Sequence, residues 1–247
     1  MHPQAHGEYE YSLARLVSFA ESALSQNLSE LGLADHDNLG RRIDVGLVSE
    51  LAKLYPSLNI RLGLEVDFFP GCERGVMEQL QTIPCDYVLG SVHNVDGFSF
   101  DIWENRRQYG IWEADALYRR YYQLLTQAIK SRLFDILAHL DVIKVFGCRP
   151  SGDQSEMALP ALRSIKQAGL VAEINTNGRY KPVGEPYPSE QILQNCFHLG
   201  IPITFGSDAH EPELVGRDLS LARSLAWRVG YRQLAVFRRR QRFLLPL

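Results

Sequence analysis

Pro202-Ile-Thr-Phe-Gly-Ser-Asp-Ala-His210 decides how the rest of the chain is read. A run of apolar and small residues leads into an Asp and a His two positions apart, the pattern of a buried strand that delivers two metal-competent side chains into the following loop. The same arrangement recurs upstream. Glu30-Leu-Gly-Leu-Ala-Asp-His36 closes on His36, and Ile60-Arg-Leu-Gly-Leu-Glu65 on Glu65. Asp86-Tyr-Val-Leu-Gly-Ser-Val-His93 closes on His93, and Phe134-Asp-Ile-Leu-Ala-His139 on His139.

Helical spacing fills the intervals. Leu13, Leu16, Val17, Ala20 and Leu24 mark one face of a helix over 11–26, and a second over 43–54 is stopped by Pro56. A short helix is expected over 76–83 and a longer one over 113–132, with Leu117, Tyr121, Leu124, Leu125 and Ala128 on its apolar face. A helix over 155–169 carries Pro160 in its first turn, Ser189 caps another that ends at Gly200, and a last one covers 218–229. Strands are expected at 170–176 and 233–237. Residues 94–112 form a long aromatic connection (Phe98, Phe100, Trp103, Tyr109, Trp112), and a loop of that length inside a compact domain points to function.

Strands alternating with helices predict a parallel sheet, and the number of units favours a closed α/β barrel, one domain over residues 1–247. Such barrels build their sites at the C-terminal ends of the strands. His36, Glu65, His93, His139, Asp208 and His210 would then share one rim. His198, late in a helix, is placed for a contact with the helix dipole instead.

The totals narrow the function. Of 247 residues, 45% are hydrophobic and 22% charged, ordinary for a globular protein. A net charge of −3 and pI near 6.2 give no electrostatic reason for general nucleic-acid or membrane-surface binding. Cys72, Cys85, Cys148 and Cys196 lack CxxC spacing and read as reduced thiols. No apolar stretch would span a bilayer and the start carries no signal-peptide core, so the expected compartment is the cytoplasm. Imidazoles mixed with carboxylates favour zinc, manganese or iron over magnesium or calcium. Asp141, two past His139, is either a carboxylate that orients that imidazole or a cap; Asp37 and Asp67 share the ambiguity. Arg179 and Lys181 could hold an anion at the rim.

Taken in order, Ala34-Asp-His-Asp37, Gly63-Leu-Glu-Val-Asp67, Gly90-Ser-Val-His93, Ala138-His-Leu-Asp141, Glu173-Ile-Asn-Thr176 and Gly206-Ser-Asp-Ala-His210 resemble the PHP superfamily. Within it the chain is most similar to the histidinol-phosphate phosphatases of the HisJ/HisK type, over essentially its whole length and including Tyr187-Pro-Ser189. The resemblance implies a distorted (β/α)7 TIM-like barrel with two or three divalent metal ions. Glu65 would bridge two of them, one shared with His2 and Asp208 and the other with His93 and His139. His6, His36 and His210 would hold the third. The family opens with a strand ending His-x-His, whereas this chain begins Met1-His2, so the first strand is expected to be missing, either through a start placed downstream of the natural one or through truncation. Relatives commonly carry an Arg where Tyr180 stands, with Arg179 displaced by one.

The implied chemistry is hydrolysis of a small phosphomonoester such as histidinol phosphate, a histidine-biosynthetic reaction. Glu65 and Asp208 would hold the metals that activate water, Arg179 and Lys181 would neutralise the phosphoryl oxygens, and Asp35 is the candidate general acid. Asp67 and the aromatic loop could bind a cationic amine or imidazole. The rival readings are a PHP phosphoesterase acting on nucleotides or oligonucleotides, and a metal-binding PHP protein with impaired catalysis.

Overall fold

Leu31 and Leu33 face one way along the first strand, Ala34 and His36 the other, and this two-residue alternation organises the molecule. The computed structural model describes residues 1–247, the side chain of Arg41 excepted. In chain order the elements are α1 (Leu13–Ser25), β1 (Glu30–His36), α2 (Val45–Leu54), β2 (Asn59–Asp67), α3 (Glu73–Leu80), β3 (Tyr87–Ser91), β4 (Asn94–Val95), β5 (Phe98–Ser99), α4 (Ala114–Lys130), β6 (Ile136–Leu137), α5 (Gln154–Ala168), β7 (Val171–Asn175), α6 (Glu190–His198), β8 (Ile203–Gly206), α7 (Leu219–Val229), β9 (Gln233–Arg238) and β10 (Gln241–Pro246). Local chemistry sets the helix ends. Ser12, Asp44, Glu113 and Asp153 accept hydrogen bonds from the first-turn amides of α1, α2, α4 and α5. Gly169 closes α5 at φ 71°, a left-handed conformation that glycine adopts without a Cβ clash.

Six strands pair in parallel in the order β1-β2-β3-β6-β7-β8. Laid flat, β1 and β8 would lie about 24 Å apart at the usual spacing of ~4.8 Å per strand. The rings of His36, at the end of β1, and His210, in the loop after β8, have centroids 5.9 Å apart, so the sheet is curled into a barrel-like wall. Met1 and His2 lie in the seam. The Met1 amino group donates to Gly32 O (3.2 Å), Ala34 N donates to Met1 O (2.7 Å), and His2 N donates to Ala209 O (2.8 Å).

The outward faces of the strands pack on the helices. Leu62, Leu64 and Val66 of β2 join Leu16 and Phe19 of α1 and Tyr118, Tyr121 and Leu125 of α4 in the main core. Inside the wall, a smaller cluster of Ala34, Leu89, Ile136, Ala138 and Val171 is completed by Ala235 and Phe237 of β9. The β9–β10 hairpin therefore floors the barrel. Its turn is tied down by Arg239 N and Arg240 N donating to Asp86 and by the Arg240 guanidinium on Asp135. Tyr87 fills the space above: a Cβ on Gly63 would stand 2.4 Å from its ring, so only glycine fits there. Truncating the plug as Phe237→Ala is expected to cost about 3 kcal/mol, as for other buried phenylalanines, measured as a shift in the urea midpoint at unchanged slope.

Several expectations are corrected. β10 is not expected from the sequence, because Gln241-Arg-Phe-Leu-Leu-Pro246 shows no alternation, and it is a strand by pairing antiparallel with β9. The 94–112 segment is not all loop: it holds the β4–β5 hairpin and a 3₁₀ stretch, Trp103–Ile111. Pro160 lies inside α5 and not in its first turn. Ser189 occupies the N-cap position of α6, but its side chain makes no cap bond. No helix among the described residues is long and apolar enough to cross a membrane.

Candidate metal centre

The alternation that packs the core also aims the site. Gly63, Glu65 and Asp67 share the inward parity of β2 while Leu62, Leu64 and Val66 point outward, so Glu65 enters the barrel mouth from the wall. His93, His139, Asp208 and His210 follow the ends of β3, β6 and β8 and reach the same mouth. His139 and Asp208 sit at φ 25° and 50°, unusual for residues with a Cβ. The result is a cavity of about 700 Å³ over the rim.

Three sets of donor atoms converge, each within 4.8 Å of one another: His2, Glu65 and Asp208; Glu65, His93 and His139; and His2, His36 and His210. Glu65 spans the first two. Its Oε2 stands 3.3 Å from His2 Nε2, and its Oε1 3.2 Å from His139 Nε2 and 3.9 Å from His93 Nε2. Asp208 Oδ1 lies 3.1 Å from His2 Nε2. His6 stacks on His36 and His210 with centroids 4.8 and 4.4 Å away, yet it is exposed, and the third set of donors contains His2 in its place.

Charge is distributed unevenly among these groups. Burial alone would lower the His2 pKa, but its hydrogen bonds to Asp208 and Glu65 win and raise it to about 9. Burial is likewise outweighed at His93, raised to about 10 through Asp67, and at His139, raised through Glu65. The carboxyls of Glu65 and Asp208 are held well below the ordinary range by these imidazoles, against the opposing effect of burial. His36 and His210, buried without a comparable partner, fall to about 3 and about 4. His36 Nε2 and His210 Nε2 are buried and have no protein partner, nor have His2 Nδ1 and His139 Nδ1. Neutral imidazole nitrogens crowded together beside two ionised carboxylates are the donor set that divalent cations of the zinc, manganese or iron type take, and binding would displace the protons now shared among His2, His93 and His139.

Carboxylates behind the rim anchor the backbone that carries His93 and His139. Asp67 Oδ1 accepts from His93 N at 3.0 Å and lies 3.4 Å from its Nδ1. Glu173 Oε2 accepts from His139 N (3.0 Å) and from Asn175 Nδ2 (3.1 Å), and it fits against β8 because Gly206 has no Cβ to meet it. Asp141, weighed above as a partner of His139 or a cap, does neither: its Oδ2 accepts from Lys144 Nζ (2.8 Å) and Ser189 N (3.0 Å), and it sits at the head of a short 3₁₀ turn without capping it.

Two residues expected in the cavity are elsewhere. Asp35 has the parity of Leu33, so it turns away from the barrel and accepts from Gln4 N (2.8 Å); burial raises its pKa, but it does not line the cavity. Arg179 is drawn outward by Asp218, its Nε 2.7 Å from Oδ2, and also leaves the lining. Lys181 and Asp67 do line it. The structure adds Asp101, Asn177 and Tyr187. Asp101 had no signal beyond lying in the aromatic connection, while Asn177 and Tyr187 lie in the loop after β7, where the strand-end rule points to a stretch but not to a residue.

The PHP domain family matches residues 2–177 of the chain. A probable histidinol-phosphatase of Deinococcus radiodurans is 37% identical over 212 residues, covering 80% of this chain and 81% of that protein. The histidinol-phosphatase of Bacillus subtilis is 28% identical over 188 residues, 68% of this chain and 70% of its own. Among solved structures, the histidinol phosphate phosphatase of Lactococcus lactis, complexed with zinc, L-histidinol and phosphate, superposes with a TM-score of 0.75 over 92% of each chain at 20% identity, which speaks for a shared fold. With the family matched over most of its length and a relative this similar, the chain belongs to the PHP domain family.

Proposed function

We propose that this chain is a metal-dependent phosphatase that hydrolyses L-histidinol phosphate to L-histidinol and phosphate, a reaction of histidine biosynthesis. The observation that carries the reading is Glu65 standing between two sets of imidazole and carboxylate donors at the mouth of a barrel, in a chain 37% identical to a probable histidinol-phosphatase. His2, Glu65 and Asp208 would hold one divalent ion and Glu65, His93 and His139 a second; His36 and His210 would hold a third, with His2 or His6. Such ions supply an activated water and neutralise charge on a transferring phosphoryl group.

The chain's own residues do the rest. Glu65 and Asp208 stay ionised under the pull of the surrounding imidazoles, so they are available as ligands at neutral pH. Lys181, on the loop after β7, offers an ammonium to the phosphoryl oxygens. Asp67 and Asp101 line the same cavity, and Phe69 and Ile102 bring exposed apolar surface to it. A substrate with a phosphate at one end and a cationic amine and flat ring at the other meets matching chemistry along the cavity.

Removing metals with a chelator is expected to abolish turnover and adding back zinc, manganese or iron to restore it. With metal present, kcat/KM for histidinol phosphate should exceed that for a nucleoside bisphosphate by about 100-fold or more, since unmatched polar groups in a dry site penalise the wrong substrate heavily. Equal rates on both would refute the substrate assignment, and metal binding without turnover of any phosphomonoester would refute the enzyme.

A further inference from the structure

Arg179 is absent from the cavity because it is the outer end of a chain of contacts that leads back to the metal centre. Its Nε donates to Asp218 Oδ2 (2.7 Å), and the Tyr180 hydroxyl donates to the same oxygen (3.0 Å). The Arg217 guanidinium lies over the Tyr180 ring, 3.5 Å from its centroid. Arg217 Nη2 donates to Asn177 Oδ1 (3.0 Å), and Asn177 Nδ2 donates to Asp208 Oδ2 (3.1 Å). The loops after β7 and β8 are further joined by Thr176 Oγ1 donating to Arg217 O (2.7 Å).

The chemistry of the two inner members fixes a direction. A guanidinium has only donors, so the atom of Asn177 that faces it must be the carbonyl oxygen. The amide nitrogen is therefore turned to Asp208, occupies Oδ2, and leaves Oδ1 for the side where His2 stands 3.1 Å away. Without Arg217 the amide keeps only its bond to Asp208 and loses the second anchor that fixes where its nitrogen stands. Asp208 needs such support, because its backbone is in the left-handed region at φ 50° and the loop alone does not favour that conformation.

We infer that Arg217 is a positioning residue for Asp208, acting through the Asn177 amide to present one carboxylate oxygen to the metal centre. The inference rests on Asp208 being a metal ligand, as proposed above. It also gives a use to a guanidinium whose Nε is buried without a partner: the group is kept in place by stacking on Tyr180, with Nη2 aimed at a single acceptor.

The test is metal titration of the chelator-stripped protein with zinc, read by calorimetry and needing no turnover. Arg217→Ala should weaken binding about 10- to 100-fold, the usual effect of removing a group that orients a ligand, and Arg217→Lys should recover part of it. The double variant Arg217→Ala/Asn177→Ala should bind no more weakly than Asn177→Ala alone, because both changes break one relay. Asn177→Asp keeps an acceptor for Arg217 but sets an oxygen against Asp208, and it should show the same loss even if Arg217→Ala folds poorly. Additive losses in the double variant, or wild-type affinity in Arg217→Ala or Asn177→Asp, overturn the relay. Asp208→Ala separates the two readings: if it loses tight zinc while Arg217→Ala keeps it, the relay alone falls, and if it retains every zinc, the metal centre falls first.

Discussion

Glu65→Gln is expected to lower kcat/KM for histidinol phosphate by about 10³-fold or more, roughly 4 kcal/mol of transition-state stabilisation, with loss of bound metal from the protein as purified. The size follows from the position of Glu65. Its two oxygens face different donor sets, Oε2 toward His2 and Oε1 toward His139 and His93. One substitution therefore removes negative charge from two cation positions together. Glutamine keeps the shape but offers one neutral acceptor and one donor, and the donor would face imidazole nitrogens or a cation. Metal analysis beside steady-state kinetics checks the result; a Glu65→Gln protein with full metal content and turnover within tenfold of wild type would remove the bridge from the mechanism.

The second large effect is on stability. Lys144 and Asp141 are both fully buried, with Nζ 2.8 Å from Oδ2. Lys144 Nζ also donates to Glu185 Oε1 (2.7 Å) and Pro186 O (3.0 Å), and Arg149 joins from outside at 2.6 Å from the same Glu185 oxygen. Lys144→Ala leaves Asp141 as an interior carboxylate without a counter-charge, which costs about 4 kcal/mol. For a chain of this length that corresponds to a fall of about 10 °C in melting temperature. Removing both charges as Lys144→Met/Asp141→Leu is expected to restore much of the loss, because the penalty lies in the stranded partner more than in the missing attraction. A double variant less stable than Lys144→Ala would show instead that the pair is worth more than the apolar contacts replacing it. Activity should fall with Lys144→Ala as well, since the bond to Pro186 O steadies Tyr187, whose ring meets His139 edge-on at 6.3 Å.

The parts of this centre that were legible in the sequence are those fixed by local periodicity. A buried strand announces where it ends, and His36, Glu65, His93, His139, Asp208 and His210 all lie within a few residues of a strand's C-terminal end. Parity within a strand is legible too: Asp35 lies two positions from Leu33 and therefore on the core-facing side of β1. His2 and His6 carry no periodic signal: they stand out only as ligand types in a polar N-terminal stretch, and their roles come from the family resemblance. Arg179 could not have been placed by any local rule, because its direction is set by Asp218 on a different loop. The outer strand of the C-terminal hairpin is illegible for a related reason. β10 has no amphipathic pattern of its own and depends on antiparallel pairing with β9.

The floor of the barrel has a kinetic consequence. With Ala235 and Phe237 stoppering one end of the barrel, reactants and both products have no passage through that end. If the phosphate rests among the ions at the bottom and the alcohol nearer the opening, traffic is ordered by depth: the alcohol has to clear the passage before the phosphate can follow.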